Sequence, residues 1–457
     1  MTTGANDPLS TCAREIAELE QGRLTDSTPV SHALFERAQR SMPLGVASSF
    51  QIGDPYPIYL REGRGAYVWD VDGHEYVDTH GGFGSMVVGH AHPKIIEAIE
   101  RAIRTGSHFA VPTEDTVLFA EELCRRFNLD QVRFANSGTE ATMSAIRVAR
   151  AATGRDDIVK IEGSYHGHHD AVMFSVVPNA DLMGGREQPA SEPTSLGIPK
   201  FLRGHTHAVP FNDLEVLSRL LDERGDEIAC LIIEPVMMNI GIAVPDPGYL
   251  AGLLELLHKH GALLIFDEVK SGATIAAGGA IERYGVQPDL ACFAKAIGGG
   301  TPAAAFGGRG DVMDVIARGA AHQGTFNANP LVCAAGLAAL TEVLTPDAYV
   351  HMGNLGTRLA QGCKAALDAN GIPAHTVDLG AKGCVSYRPE PLRNYRDFLE
   401  TNTDLYSASY PWMVNRGLFM TPGDEEQWTL SVQHTEADID RYVDTFAELC
   451  VELNAST

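Results

Sequence analysis

Basic residues are scarce in this chain of 457 residues. Lysine and arginine together number 35, against 59 aspartates and glutamates, and the formal net charge is −24. Such an acidic chain repels phosphate groups, which argues against nucleic acids and anionic membranes as partners. The sequence also lacks an apolar run of membrane-spanning length and a basic start followed by an apolar segment. We therefore expect a cytoplasmic protein that binds neither nucleic acid nor membrane.

Paired cysteines are missing as well. The eight cysteines are scattered without any C-x-x-C spacing, and several of them lie within apolar runs. This distribution is typical of small buried hydrophobic side chains in a reducing compartment, and it does not indicate a disulfide framework.

The chain alternates strand-like and helical segments. Residues 57–78 alternate apolar and polar side chains and break at a turn signal over 70–73, which predicts a β-meander. Farther on, helical stretches such as 94–104 and 248–260 alternate with strand-like runs. Those runs are 131–135, 158–161, 230–233, 263–266 and 290–294. The alternation predicts an α/β protein with a mostly parallel sheet covered by helices on both faces.

The length of the chain predicts more than one lobe. We predict that residues 1–75 form an arm and the meander, residues 76–336 a large domain, and residues 337–457 a C-terminal segment. The first and last of these segments would together make a smaller α+β domain. Residues 177–200 are rich in Gly, Pro, Ser and Glu, which indicates a long loop that is either a lid or disordered.

Polar or small residues follow the predicted strands. Asn136, Gly163, Glu234, Asp267 and Lys295 lie at or just past the ends of their strands. Ligands on parallel sheets bind beyond the carboxyl ends of the strands. We therefore expect these five residues to meet at one edge of one sheet.

Lys295 and Asp267 are the most informative pair. A lysine nucleophile and a buried carboxylate are what pyridoxal phosphate (PLP) requires: the lysine forms a Schiff base, and the acid keeps the pyridine nitrogen protonated. Each half alone is weak evidence, because most lysines are surface residues and an Asp-Glu pair at a strand end is common.

Two predicted helix starts are candidate phosphate sites. Residues 136–140 follow a strand and open a helix, where backbone N–H groups bind a phosphate dianion. Residues 322–330 form a polar loop, with hydroxyl and backbone donors, before a helix of small residues. The alternative at both places is simple helix capping, by Ser137 or Thr139 in the first and by Asn327 or Asn329 in the second.

Two further loops carry candidate contacts to a cofactor ring. Tyr165, in the histidine-rich run 163–170, could stack on a flat ring. The run could instead bind a metal, but no partner cluster of ligands is evident, and we predict no metal site. Glu234 could orient groups around the ring, and Asn239 could donate a hydrogen bond to its phenolic oxygen. A plain Glu-Pro turn is the alternative here.

Eight motifs, in one order, carry a resemblance over residues 36–450. They are Trp-Asp-Val-Asp-Gly, Gly-His-Ala-His-Pro, Asn-Ser-Gly-Thr-Glu-Ala, Glu-Gly-Ser-Tyr-His-Gly-His, Ile-Glu-Pro-Val, Phe-Asp-Glu-Val, Ala-Lys-Ala-Ile-Gly-Gly-Gly and Gln-Gly-Thr-Phe-Asn-Ala-Asn-Pro. The set resembles the class III, PLP-dependent aminotransferase family of fold type I. The branch that looks closest contains glutamate-1-semialdehyde aminomutase and the aminotransferases for β-phenylalanine and D-phenylglycine.

The resemblance implies a large domain on a mostly parallel seven-stranded sheet and a homodimer with shared active sites. It implies that Lys295 is the Schiff-base lysine and that Asp267 contacts the pyridine nitrogen, which makes both residues catalytic. The substrates it implies are an amine or amino acid and a keto acid or aldehyde. The other implied cofactor-binding residues are Ser137, Gly138, Thr139, Tyr165, His166, Glu234, Asn239, Val269 and Thr325, the last of these through the phosphate of the neighbouring subunit.

The departures from the family pattern concern the substrate. The positions where relatives carry a carboxylate-binding arginine hold Gln51 and Thr274, and Phe83 stands where tryptophan is usual. A family glutamate near the C-terminal strand aligns loosely with Glu426. Because the loss of a bidentate carboxylate clamp is not a conservative change, we expect an aminotransferase, with an aminomutase or racemase as the alternative. Other arginines that could bind a substrate carboxylate are Arg186, Arg393 and Arg396.

Overall fold

The computed structural model describes residues 7–423 and 427–455. Glu426, the loosely aligned glutamate, lies outside these residues. Within them, the α-helices are α1 (Pro8–Ser27), α2 (Pro29–Ala38), α3 (Gly81–Gly84), α4 (Pro93–Thr105), α5 (Glu114–Phe127), α6 (Gly138–Thr153), α7 (Leu214–Arg224), α8 (Tyr249–Lys259), α9 (Gly279–Tyr284), α10 (Gly310–Met313), α11 (Pro330–Ala338), α12 (Pro346–Ala369), α13 (Tyr395–Phe398), α14 (Thr403–Asn415) and α15 (Glu436–Ala455).

The strands form one large sheet and three smaller ones. In chain order they are β1 (Leu60–Arg64), β2 (Tyr67–Asp70), β3 (Glu75–Asp78), β4 (Gln131–Ala135), β5 (Asp157–Ile161), β6 (Gly184–Gly185), β7 (Gln188–Pro189), β8 (Thr206–Val209), β9 (Ile228–Ile233), β10 (Leu263–Asp267), β11 (Leu290–Phe293), β12 (Ala304–Gly308), β13 (His375–Asp378), β14 (Lys382–Ser386), β15 (Leu418–Phe419) and β16 (Trp428–Thr429). The large sheet has seven strands in the order β4-β12-β11-β10-β9-β5-β8.

The large sheet is parallel except at β12. This strand pairs antiparallel with both β11 and β4, whereas the pairings among β11, β10, β9, β5 and β8 are all parallel. The prediction of a mostly parallel sheet is therefore confirmed, and the five predicted strands correspond to β4, β5, β9, β10 and β11. The carboxyl ends of these strands point to the same edge, where the candidate residues lie.

The sequence did not predict two strands of the large sheet, β8 and β12. β8 has only four residues, Thr-His-Ala-Val, at the edge of the sheet. β12 ends in Gly307 and Gly308, and glycine usually weakens a strand. Here it is required, because a Cβ on Gly307 would lie 2.3 Å from the Gln131 carbonyl oxygen, and one on Gly308 would lie 2.0 Å from that of Asp289.

The predicted helices begin and end close to where their sequence signals place them. α4 starts at Pro93 after the N-cap His92, whose side chain accepts a hydrogen bond from the Lys94 amide. Its apolar side chains recur on one face, where Ile95, Ala98 and Ala102 are buried. α8 likewise buries Tyr249, Leu250, Leu253 and Leu257. These helices cover the sheet and close the main hydrophobic core.

A second core lies away from the large sheet. Helices α1, α12, α14 and α15 pack together there with strands of the smaller sheets. The predicted meander is confirmed: β1, β2 and β3 pair antiparallel in succession, and β15 adds to β3 in parallel. Asp70 accepts hydrogen bonds from the amides of Gly73 and His74, at 2.7 Å each, and so fixes the predicted turn. The three predicted segment boundaries remain predictions.

Residues 177–200 form a loop with its own short hairpin, β6–β7. Backbone hydrogen bonds join the stem of the hairpin, as between the Ala190 amide and the Met183 carbonyl at 2.7 Å. The Tyr395 hydroxyl donates to the Pro178 carbonyl at 3.1 Å, and Arg396 donates to that of Gly184. The loop is therefore structured, and its role as a lid stays a prediction.

Among the described residues, no single helix is long and apolar enough to cross a membrane. Two consecutive helical segments, residues 330–343 and 346–369, would together be long and apolar enough, by length and composition only. They are bent by 76° relative to each other.

Candidate active site

A cavity of about 280 Å³ opens at the carboxyl edge of the large sheet. Nine of the predicted site residues line it, and they come from five separate loops or helix starts. These nine are Gly138, Thr139, Tyr165, His166, Glu234, Asn239, Asp267, Val269 and Lys295. The remaining lining residues are Ser48, Phe50, Gln51, Phe83, Gly167 and Lys270. The expected convergence of strand-end residues is thus present for Glu234, Asp267 and Lys295.

Lys295 lies two residues beyond β11, at the first position of a short 3-10 turn that runs to Gly298. Its backbone φ is +51°, in the left-handed region that non-glycine residues seldom adopt. Such a conformation is maintained only where the surrounding structure imposes it, and it is frequent at functional sites. The turn places the half-buried lysine side chain at the cavity wall instead of continuing the strand.

Asp267 is the last residue of β10 and is 5% exposed. Its Oδ2 lies 2.7 Å from His166 Nδ1, and its Oδ1 accepts a hydrogen bond from the Val269 amide at 3.0 Å. His166 is 1% exposed, and its Nε2 has no hydrogen-bond partner among the described residues. The carboxylate is therefore fixed in direction by two different loops. Burial, and then the charge of Asp267, raise the pKa of the Tyr165 hydroxyl.

Glu234 ties two of the site loops together. It is 3% exposed, and its carboxylate accepts hydrogen bonds from the amides of Tyr165 and Met238, both at 2.9 Å. The Met238 carbonyl in turn accepts from Lys270 Nζ at 2.8 Å and from Gln427 Nε2 at 3.2 Å. We call this set the Met238 clamp. Because both backbone groups of Met238 are held, the clamp fixes the position of the next residue in the chain, the predicted ring contact Asn239.

The start of α6 forms another wall of the cavity. The first turn of a helix leaves backbone N–H groups without intrahelical acceptors. In α6 this first turn begins with Gly138 and Thr139. A Cβ on Gly138 would lie 3.1 and 3.2 Å from the two methyl groups of Val269, so glycine permits this close approach. Ser137 caps the helix by accepting from the Glu140 amide at 3.2 Å and is not among the described residues that line the cavity, and its predicted contact with phosphate stays a prediction.

Three aromatic rings line the cavity. Phe50 packs edge-on against Tyr165, with ring centroids 5.1 Å apart, and lies 6.1 Å from Phe83. Phe50 is 46% exposed. The cavity is therefore lined by aromatic rings as well as by polar side chains.

The histidine-rich run has protein partners for each of its rings. His166 pairs with Asp267, His168 Nδ1 lies 3.2 Å from the Thr139 hydroxyl, and His169 Nε2 lies 3.4 Å from the Thr142 hydroxyl. Burial, with nearby positive charge, lowers the pKa of His169 to about 3. In the part of the chain that the structure describes, no three His, Cys, Asp or Glu side chains are grouped as metal ligands.

Thr325 lies apart from this cavity within the chain. It is exposed and lines a second opening of about 540 Å³, together with residues 108–112 and 327–330. The Asn136 side chain donates to Asn327 Oδ1 at 2.8 Å, which ties that loop to the start of α6. The contact of Thr325 with the cofactor phosphate of a neighbouring subunit stays a prediction.

The three arginines considered as carboxylate ligands are ion-paired elsewhere. Arg186 lies 2.7 Å from Asp213, and Arg396 lies 2.9 Å from Glu162. Arg393 lies 2.5 Å from an aspartate on the loop before α8. None of the described residues that line the cavity is an arginine. The sequence reading missed Lys270 as a lining residue, although its place directly after the Asp-Glu-Val motif was a usable signal.

Comparison with known proteins agrees with this geometry. The glutamate-1-semialdehyde 2,1-aminomutase of Syntrophobacter fumaroxidans (strain DSM 10017 / MPOB) is 41% identical over 416 residues, which cover 90% of this chain and 94% of that protein. The crystal structure of an omega-transaminase from Sphaerobacter thermophilus superposes with a TM-score of 0.87 at 36% identity, covering 93% of this chain and 97% of that one.

A third relative is the glutamate-1-semialdehyde aminomutase of Pseudomonas aeruginosa PAO1, solved in complex with PMP. It has a TM-score of 0.87 and 28% identity, and the match covers 97% of this chain and 99% of that one. Residues 50–383, well over half of the chain, match the family described as aminotransferase class-III. The seven-stranded sheet, the lysine after β11 and the carboxylate ending β10 lie within that matched region, and the chain belongs to the class III aminotransferase family, with the fold of the type I transaminases.

Proposed function

We propose that this protein is a PLP-dependent transaminase that works through Lys295. One observation carries the proposal: Lys295 and the doubly anchored carboxylate of Asp267 line the same cavity. A lysine and a fixed acid at one cavity are the two groups that the PLP reaction requires from a protein.

The residues around the cavity fit this cofactor. The first turn of α6, at Gly138 and Thr139, would hold the phosphate through backbone N–H groups and the helix dipole. Tyr165 would stack on one face of the ring, and Val269 would pack on the other. Asn239, placed by the Met238 clamp, would donate to the ring oxygen. Lys295 would bind the cofactor's aldehyde carbon. PLP bound in this way supplies an electron sink for the substrate's Cα carbanion.

The protein's own groups would then move and hold protons. Asp267 would accept a charge-assisted hydrogen bond from the pyridine nitrogen, and its two anchors hold it in direction while it does so. Once the substrate amine has displaced Lys295 from the cofactor carbon, the freed Nζ would carry the proton between the substrate carbon and the cofactor, as a general acid and base. Because Asp267 and His166 are buried, water does not compete strongly for the hydrogen bond between them. The same holds for the hydrogen bond that Asp267 would accept from the pyridine nitrogen.

The lack of an arginine among the described residues that line the cavity supports transamination to an external acceptor. The positions where the family resemblance implies an arginine hold Gln51, which lines the cavity, and Thr274, which is 1% exposed. A glutamine cannot replace the bidentate charged contact of an arginine with a carboxylate. A substrate with a distal carboxylate, as in glutamate semialdehyde, is therefore less well matched to the described cavity.

An aminomutase is the second candidate, and the 41% identity to an aminomutase favours it. In that reaction the nitrogen would stay on the same substrate carbon skeleton. A buried lysine, Lys270, also lines the cavity and would be the cation for the substrate carboxylate in this case. The two candidates differ in whether turnover requires an external carbonyl compound.

A half-reaction screen tests the proposal. Single amines are added to the PLP form of the protein, and the absorbance change to the PMP form is followed without any acceptor. We expect conversion by at least one simple amine, and restoration of the PLP form by a keto acid or aldehyde. Turnover of glutamate semialdehyde with no acceptor, together with no conversion by simple amines, would support the aminomutase instead. Lys295→Ala is the matched negative control, and Lys364→Ala, at an exposed ion pair, is the positive one.

We also infer that two copies assemble. Around the opening that contains Thr325, large apolar side chains are exposed, and a second copy would cover them. They are Phe109 at 48%, Val111 at 66%, Val117 at 53% and Phe326 at 58%. Exposed apolar groups clustered in this way mark interaction surfaces. The cytoplasmic location stays a prediction from the sequence.

A further inference from the structure

A fully buried lysine lies close to one of the loops of the candidate active site. Lys160, the fourth residue of β5, is 0% exposed, and all five residues of that strand are buried. A lysine is almost never buried completely unless its amino group has partners, because removal of an ammonium group from water is costly. The partners of Lys160 therefore indicate what this buried group does.

Lys160 joins the two ends of the loop that carries two predicted cofactor contacts. Its Nζ donates hydrogen bonds to the Ser164 carbonyl at 2.9 Å and to the Phe174 carbonyl at 2.6 Å. The chain between these carbonyls includes Tyr165 and His166, and both of them line the cavity. Lys160 is not among the described residues that line it. The lysine thus closes the loop without contacting the cavity.

The peptide unit between Ser164 and Tyr165 is held at both of its polar groups. Its carbonyl accepts from Lys160 Nζ, and its N–H donates to the carboxylate of Glu234 at 2.9 Å. A cation therefore faces the carbonyl oxygen and an anion faces the N–H, so both charges stabilise the dipole of this peptide. Because this unit contains the backbone nitrogen of Tyr165, the two contacts fix the point from which the tyrosine side chain extends.

The charged groups near Lys160 are balanced. Burial lowers the pKa of Lys160 to about 7, and the charges of Glu234 and Glu162 act in the opposite direction. Glu162 is 0% exposed and is ion-paired with Arg396 at 2.9 Å. A protonated amine has three N–H groups and a neutral amine has two, so either form of Lys160 can donate to both carbonyls. The contact with the loop is therefore available on both sides of this pKa.

We propose that Lys160 is a positioning residue that sets the orientation of Tyr165 against the cofactor ring. This proposal rests on the proposed transaminase function. By holding both ends of the loop, Lys160 would place the tyrosine ring for stacking and would hold His166 in its contact with Asp267. Loss of the lysine would then change the surroundings of the bound cofactor, although the lysine does not contact the cofactor.

The substitution Lys160→Met tests the proposal, because it removes both donors and keeps an unbranched side chain. At saturating PLP, we expect the visible circular dichroism per bound cofactor to fall below that of the wild type. The dissociation constant of PLP, measured by equilibrium dialysis, should rise by about tenfold or more, since two hydrogen bonds that hold the site loop are lost.

Arg155→Met is the matched control. Arg155 lies just before β5, and its guanidinium donates to the backbone carbonyls of Gly225, Ile228 and His260 at 2.8–3.1 Å. This variant also removes a cation that holds backbone carbonyls, but at the amino end of the strand. It should leave the dichroism of the bound cofactor and the dissociation constant of PLP unchanged.

A measurement without cofactor and a milder variant complete the test. In cofactor-free Lys160→Met, amide hydrogen exchange over residues 164–174 should accelerate by about tenfold or more relative to the wild type. Lys160→Gln is uncharged but keeps an amide donor. It should lie between Lys160→Met and the wild type in dichroism, in PLP affinity and in exchange.

The possible results separate this inference from the proposed function. If the wild type binds PLP and the folded Lys160 variants keep its dichroism at saturation, Lys160 is not a positioning residue, and the transaminase function stands. If neither Lys160 variant folds but Arg155→Met does, the lysine serves the fold as a whole, and the inference is wrong. If the wild type binds no PLP, the proposed function and this inference are both wrong.

Discussion

His166 and the Val269 amide give the Asp267 carboxylate one orientation, and both come from elements outside β10. A carboxylate that must pair with a ring nitrogen loses less conformational freedom on binding when it is fixed beforehand. The Nε2 of His166 is buried and has no hydrogen-bond partner within residues 7–423 and 427–455. At the scale of single residues, the proposed chemistry therefore depends on anchors as well as on the lysine.

Replacement of this carboxylate by an amide gives the first prediction. Asp267→Asn keeps the size of the side chain but removes the negative charge that would face the pyridine nitrogen. We expect the half-reaction rate with a reactive amine to fall by about 10²-fold or more, the cost of removing one electrostatic group from a reacting centre. Single-turnover absorbance measurements check this. Asp246→Asn, at the exposed partner of Arg393, is the matched control and should keep the wild-type rate.

The Met238 clamp gives the second prediction. Lys270→Met removes the charged donor to the Met238 carbonyl while keeping an unbranched side chain. A hydrogen bond from a charged group is worth about 1.5–3 kcal/mol. We therefore expect amide hydrogen exchange over residues 236–241 to accelerate by about tenfold or more. Mass spectrometry of the cofactor-free protein measures it, with Lys364→Met as the control. Unchanged exchange in that segment would show that Lys270 does not hold the clamp.

The sequence predicted the positions of some site residues but not the contacts that others make. The differences have physical causes. Asp267 ends one continuous apolar run and Lys295 follows another, so their place at the sheet edge follows from the pattern alone. The pairing of His166 with Asp267 joins residues 101 positions apart, and no local signal encodes it. Ser137 carries the same sequence signal whether or not it binds phosphate, and the structure shows only that it caps α6.

Among the elements, the connection between β10 and α9 depends on a second carboxylate. Glu268 is 0% exposed and accepts hydrogen bonds from the Ala280 amide at 3.0 Å and the Ile281 amide at 2.9 Å. The Ser271 hydroxyl donates to it as well. Burial raises the pKa of Glu268 to about 7, and these donors offset only part of that rise. The start of α9 is thus held by a carboxyl group that resists ionisation.

A pH dependence follows as the third prediction. A glutamate in the unfolded chain has its ordinary pKa of 4.5, whereas the pKa of folded Glu268 is about 7. Stability from this group is therefore full below pH 4.5 and is lost as the pH rises through 7. Relative to Glu268→Gln, which cannot ionise, the wild-type protein should lose up to about 3 kcal/mol between these limits. Denaturant midpoints at about pH 5 and pH 8 measure it, and parallel behaviour of both proteins would contradict it.

The strands show why element prediction succeeds in the centre of a sheet and fails elsewhere. β9, β10 and β11 are buried on both faces, so they appear as continuous apolar runs. β12 is buried too, but its glycines are dictated by the close approach of neighbouring backbone, which exists only in the folded sheet. Its antiparallel direction is likewise a property of the assembled sheet.

For the whole molecule, the exposed apolar residues near Thr325 give the fourth prediction. Val111→Asp places a carboxylate where we expect a second copy to pack, and an unpaired polar group left buried costs at least about 1–3 kcal/mol. The dimer of the variant should dissociate at protein concentrations about tenfold higher than the wild-type dimer does, as measured by sedimentation velocity. Val350→Asp is the matched control, since Val350 is 63% exposed on α12, against 66% for Val111. Equal effects of the two variants would place the interface elsewhere.

The cofactor attachment is the claim on which the rest of the account depends, and two lysines, Lys295 and Lys270, line the candidate cavity. Borohydride reduction of the PLP-loaded protein, followed by peptide mapping, identifies the lysine that carries the cofactor. We predict that the reduced adduct lies on Lys295 and is lost in Lys295→Ala, whereas Lys270→Met retains it. An adduct on Lys270, or no site-specific adduct, would contradict the account.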